Sequence, residues 1–157
     1  MTAWKHKILV VEDEIIVAFD DKQYYATDGL YLFGLKENAD IYYIMGILNS
    51  RLLVFIYRLL ALEEGRMLAQ VKPTLLNILP IPIVALEDYK KKQQHDDIIH
   101  FVGNILKLKE QLNNTKLDNN RQQLQRAIDH AERRIDELVY ELYGLTEEEV
   151  AIVEGKS

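Results

Sequence analysis

The stretch DIYYIMGILNSRLLVFIYRLLALEE, residues 40–64, decides how this 157-residue chain is organised. Ile41, Met45, Leu48, Leu52, Phe55, Leu59 and Leu62 recur at alternating steps of four and three, the spacing that puts apolar side chains on one face of an α-helix. At 3.6 residues per turn the run predicts a buried helix of about six turns. Asp40 stands where an N-cap belongs, its carboxylate placed to accept from the first unpaired backbone N–H groups. Arg51 and Arg58 fall off the stripe, seven residues apart, and share one polar side. Ile41 to Leu62 also has the length of a bilayer span. Two arginines, each costing roughly 2.5–3.5 kcal/mol near the centre of a membrane helix, favour a buried helix of a soluble domain instead.

Downstream, Glu63-Glu64-Gly65 stops the helix with glycine in its usual place. Met67 to Val71 predicts a strand, and Pro73-Thr74 opens a short turn over Leu75 to Leu79. Pro80 and Pro82 force an extended, edge-type path through Ile81 and Ile83. Upstream, Ile8 to Val11, Ile16 to Phe19, Tyr24 to Thr27 and Leu30 to Gly34 read as strands. Asp20 to Gln23 and Asp28-Gly29 supply the turns between them. The segment KILVVEDE, residues 7–14, matches the first strand and acidic pair of phosphorelay receiver domains. Those domains also need a phosphoacceptor aspartate ending a later strand. The next apolar run here, Leu52 to Tyr57, is helical in pattern and holds no aspartate.

From Asp96 the pattern changes. Ile98, Ile99, Val102, Ile105, Leu106 and Leu112 mark one helix, and Asn113-Asn114-Thr115 breaks or bends it. A second helix is predicted from about Asp118 to Tyr143. It carries Leu117, Leu124, Ala131 and Leu138 at one heptad position and Ile128, Ile135 and Leu142 at the other, interrupted by Arg121. Two helices with a short break are most simply an antiparallel hairpin. Gly144 is placed as the C′ glycine, and Thr146 with Glu149 forms a capping box opening a last short helix. The expectation is an α+β fold: a small mixed sheet with a long buried helix over residues 1–95, then an antiparallel helical hairpin over residues 96–157.

Composition narrows the function. The chain is 48% hydrophobic, enough for a good core, and has no cysteine, which fits a reducing cytoplasm. The start lacks the apolar core of a signal peptide. Its four histidines, at positions 6, 95, 100 and 130, lack metal-ligand spacing. The net charge of −6 is uneven: residues 1–95 hold 11 Lys and Arg against 12 Asp and Glu, and residues 96–157 hold 8 against 13. A domain with this balance binds nucleic acid only through a local patch, and the acidic end points elsewhere. There is no GxGxxG, phosphate-binding loop, GxSxG or metal triad, so no catalytic constellation is legible. Tyr24, Tyr25, Tyr31, Tyr42 and Tyr43 suit a half-buried sheet face or stacking on bases.

The order Leu48-Asn49-Ser50, then Gly65-Arg66, Gln70-Val71-Lys72-Pro73 and Leu79-Pro80-Ile81-Pro82, resembles the TaqI-like C-terminal specificity domain. That domain occurs in type II restriction–modification enzymes that join an adenine-N6 DNA methyltransferase to a target-recognition module. The tail from Glu132 to Glu149 looks like the end of such proteins, and type I specificity subunits share a looser version. The methyltransferase's Asn-Pro-Pro-Tyr motif, its glycine-rich cofactor loop and a nuclease carboxylate–lysine motif are absent. The resemblance therefore implies the recognition end of a longer enzyme, with S-adenosylmethionine expected only in an attached methyltransferase domain. Its implied partners are double-stranded DNA and a methyltransferase or endonuclease domain or subunit; no membrane is implied, and the oligomeric state is left open. Candidate DNA-binding residues are Arg66, Gln70, Lys72, Lys22, Tyr24, Tyr25 and Arg51. Arginine and glutamine have forked ends suited to guanine and adenine edges, and lysine reaches phosphate. The hairpin becomes a spacer or docking arm. The other reading is a protein-interaction module that dimerises through the hairpin, which salt distinguishes, since coiled-coil pairing responds little to it and phosphate contacts respond steeply.

Overall fold

The computed structural model describes residues 7–11, 15–20, 30–33, 39–63, 72–84 and 87–156. The chain divides into two compact units, Met1–Ile81 and Pro82–Ser157. In the first, β1 (Lys7–Val11) lies between β2 (Val17–Asp20) and β3 (Leu30–Phe33). It pairs antiparallel with both, Leu9 standing opposite Ala18 on one side and Leu32 on the other. Ile15 and Val17 are buried and Ile16 between them is exposed, the period of two of a strand with one face on a core.

The expected α+β fold on a small mixed sheet is corrected by these observations. The described residues are mostly helical, and the strands form only a short ladder in which every pairing is antiparallel. The link 12–16 between β1 and β2 is far shorter than the dozen or more residues a parallel crossover needs. The expected strands at Tyr24 to Thr27 and Met67 to Val71 lie outside the described residues.

The long helix is corrected as well. Residues 41–62 form two helices, α1 (Ile41–Leu48) and α2 (Arg51–Glu63), bent by 60° at Asn49-Ser50. Asp40 caps α1 as its position predicted, accepting from the Tyr42 and Tyr43 N–H groups at 2.8 and 3.2 Å. Ser50 makes the break. Its hydroxyl, 1% exposed, donates to the Ile47 carbonyl at 2.7 Å and accepts from Leu53 N–H at 3.4 Å. One side chain thus closes the first helix and caps the second. The bend also changes which residues are inside. Tyr43, Met45, Ile47 and Leu48 of α1 are buried, then Leu52, Leu53 and Tyr57 of α2, whereas Leu59 of the expected stripe is 48% exposed.

A short helix, α3 (Pro73–Leu76), follows with proline at its first position, where the missing N–H costs nothing. The Lys72 carbonyl accepts from Leu75 and Leu76, and Leu75 and Leu79 are buried. Beyond it, the Ile81 N–H donates to the Leu79 carbonyl at 3.0 Å, a three-residue turn, and residues 80–84 join no strand. The two prolines therefore sit in an irregular exit where an edge strand was expected. No single helix among the described residues is long and apolar enough to cross a membrane.

The second unit is helical. α4 (Tyr89–Asn114) starts under an Asp88 cap that accepts from Lys91 N–H, and α5 (Asp118–Tyr143) returns alongside it. Gln94 donates to Glu141 at 3.1 Å near one end, and Lys109 pairs with Glu132 at 3.3 Å nearer the turn. Residue numbers that fall on one helix as they rise on the other require antiparallel packing. Arg121, the break in the heptad seam, donates to the Leu112 and Thr115 carbonyls at 2.8 and 2.9 Å and clamps the turn. The seam closes around Ile98, Val102 and Ile105 of α4 and Ile128, Ala131, Ile135 and Leu138 of α5, with Val139 buried beside it. Gly144 ends α5 at φ 70°, a left-handed conformation that a Cβ would strain. The Thr146–Glu149 capping box opens α6 (Glu147–Val153). The Thr146 backbone N–H and hydroxyl hold the Glu149 carboxyl below its ordinary range.

Candidate DNA interface

Asn49, at the elbow between α1 and α2, is turned back onto β2. Its carboxamide oxygen accepts the Val17 N–H at 2.8 Å, and its Nδ2 donates to the Val17 carbonyl at 2.9 Å. An asparagine thus takes the place of a neighbouring strand's peptide group, across 32 positions of sequence. Two residues later, Arg51 opens α2 and is exposed. A cation in a first helical turn opposes the helix dipole, so helix electrostatics do not account for the place of Arg51.

The far end of α2 fixes a second cation. Tyr57 is 2% exposed, and its hydroxyl accepts the Lys72 backbone N–H at 3.0 Å. Lys72 is thereby held between α2 and the first turn of α3, which its own carbonyl caps. Tyr57→Phe keeps the buried ring and removes this acceptor. We expect a loss of about 0.5–1.5 kcal/mol in chemical denaturation, the ordinary net worth of a hydrogen bond. A neutral result would show that Lys72 is held by other contacts. Tyr43 has no place in a stacking surface. It is buried, and burial pushes its phenol up to about 12.

The sequence profile of the TaqI-like C-terminal specificity domain matches residues 2–81. The chain belongs to this family. No match was found among curated proteins or among solved structures. Domains of this family give restriction–modification enzymes their DNA recognition, in association with methyltransferase or restriction subunits. The match covers β1 to β3, α1, the elbow, α2 and α3, and so includes the Asn49 clasp, Arg51 and Lys72.

Of the residues singled out in the sequence, the specificity domain displays Arg51 at the start of α2 and Lys72 at the start of α3, on two helices that pack together. Lys22, Tyr24, Tyr25, Arg66 and Gln70 lie outside the described residues. Sequence reasoning missed what Asn49 and Ser50 do. The signal was present, two small polar residues at the middle of an otherwise apolar run, but the apolar spacing predicts one continuous helix through them. Among the described residues no cluster of His, Asp or Glu is arranged to hold a metal ion.

Proposed function

We propose that this chain reads a short duplex DNA sequence on behalf of an adenine-N6 DNA methyltransferase or restriction endonuclease, and carries out neither methyl transfer nor cleavage itself. The observation that carries the reading is the family match over residues 2–81, together with exposed Arg51 and partly exposed Lys72 anchored within it. Lysine and arginine contacts to phosphate set the register, and side chains between Gly65 and Lys72 and around Tyr24 meet base edges. S-adenosylmethionine belongs to the partner's catalytic domain, because the chain lacks that domain's glycine-rich loop and Asn-Pro-Pro-Tyr motif. The acidic helical unit serves as spacer or docking arm, and the assembly works in the cytoplasm.

The test is titration of the chain with a pool of short duplexes at several salt concentrations. Affinity is expected to be weak alone, since the chain is net acidic, and its logarithm should fall linearly with log salt by about 0.9 per neutralised phosphate. Self-association indifferent to salt, with no DNA bound even at low salt, would instead identify a dimerisation module. Transfer of a labelled methyl group from S-adenosylmethionine by the pure chain would overturn the non-catalytic assignment.

A further inference from the structure

We propose that Asn49 is a positioning residue for DNA recognition: its clasp on Val17 ties strand β2 to the start of α2 and so holds Arg51 at a fixed place relative to the three-stranded ladder. The inference rests on the DNA-reading function proposed above.

The elbow is locally unfavourable and globally fixed. The seven apolar residues from Ile41 to Leu62 have the spacing of one straight helix, and breaking that helix at Asn49-Ser50 gives up regular backbone bonds. Two side chains compensate. Ser50 bonds to both helices through its buried hydroxyl, which fixes the angle between them. Asn49 bonds to both backbone groups of Val17, itself 4% exposed, which fixes the elbow against the strand. A fold needing only a helix bend would be served by Ser50. The second tie acts on the relation between the strand and the helix start, and the first side chain to leave the elbow into solvent after it is Arg51. A binding constellation, the cations that set the register included, needs its side chains placed to within about half an ångström, which a two-bond carboxamide clasp supports better than a single flexible contact.

Salt dependence separates this role from a merely structural one. Asn49→Ala removes no charge, so it alters the number of phosphates neutralised only by displacing a cation. With the full chain and a duplex pool selected for binding, Asn49→Ala is expected to weaken affinity about tenfold and to flatten the log–log salt slope by about 0.9, one phosphate's worth. Arg51→Ala should do the same. The double variant should lie within about twofold of Arg51→Ala alone, since residues that act as a unit are not additive. Circular dichroism confirms that each variant is folded at the assay temperature. If Asn49→Ala does not fold, the cycle is run with Asn49→Gln, which is likewise uncharged and shifts the carboxamide by one methylene away from its two bonds to Val17. An unchanged slope in the Asn49 variants, or effects that multiply in the double variant, would overturn the positioning role while leaving DNA reading intact. A wild-type chain that binds no duplex even at low salt would overturn both.

Discussion

Ile135→Asp is expected to destabilise the helical unit by several kcal/mol, the largest stability effect of any substitution considered for this chain. Ile135 is 5% exposed in the middle of α5, between Ile128 at 1% and Val139 at 0% on the same buried side. Burial at that site cuts a carboxylate off from bulk water, so the domain either unfolds or takes up a proton. Glu132 lies three residues earlier on the outer face, about half exposed, and pairs with Lys109 at 3.3 Å. Surface pairs of this kind contribute little, and Glu132→Ala should shift stability by no more than about 0.5 kcal/mol. Urea denaturation of the two variants decides the point. Equal shifts would mean that the hairpin buries another face of α5.

The second helix of the hairpin was legible because its information is local, whereas α4 begins at Tyr89, ahead of the expected Asp96. Heptad spacing, a three-residue break, a terminal glycine and a capping box each act within a few residues, and α5 runs from Asp118 to Tyr143 as its seam predicted. Arg121 shows the limit of the pattern. It broke the seam as a letter, but it clamps two carbonyls of the turn, a role visible only once the turn exists.

The first unit was less legible for a related reason. The stripe from Ile41 to Leu62 is a good helix by every local criterion, and what breaks it is tertiary: Asn49 finds Val17, 32 residues away, and Ser50 is buried between two helices. Once bent, α2 buries Leu53 and Tyr57 and turns Leu59 outward, so the phase of the stripe no longer reports its core face. A mixed sheet failed for the opposite reason. Strand signals near Ile8, Val17 and Leu30 were real, but the short link 12–16 leaves room only for antiparallel return, and the ladder stays small beside the helices. For the site, cation positions could be read from the sequence and their anchoring could not. Nothing in the letters says that the Lys72 N–H is taken by Tyr57.

That anchoring shapes the prediction with the largest expected effect on recognition. Arg66 and Gln70 carry side chains with two polar atoms at fixed separation, the geometry that reads guanine or adenine edges in the major groove. Within the enzyme that the domain serves, Arg66→Ala or Gln70→Ala is expected to relax preference at one base pair, costing about 1–3 kcal/mol there and little elsewhere. Lys72 differs in chemistry and in placement. Its backbone is pinned on one side by Tyr57 and on the other by Leu75 and Leu76, and its single flexible ammonium carries no base code. Lys72→Ala should therefore weaken all sequences alike and lower the salt slope by about one. Affinities for a panel of single-base-pair variants, measured at two salt concentrations, separate the two patterns. A base-pair-specific loss in Lys72→Ala would exchange the assigned roles. Wild-type affinity and preference in all three variants would remove the segment from Arg66 to Lys72 from the reading surface.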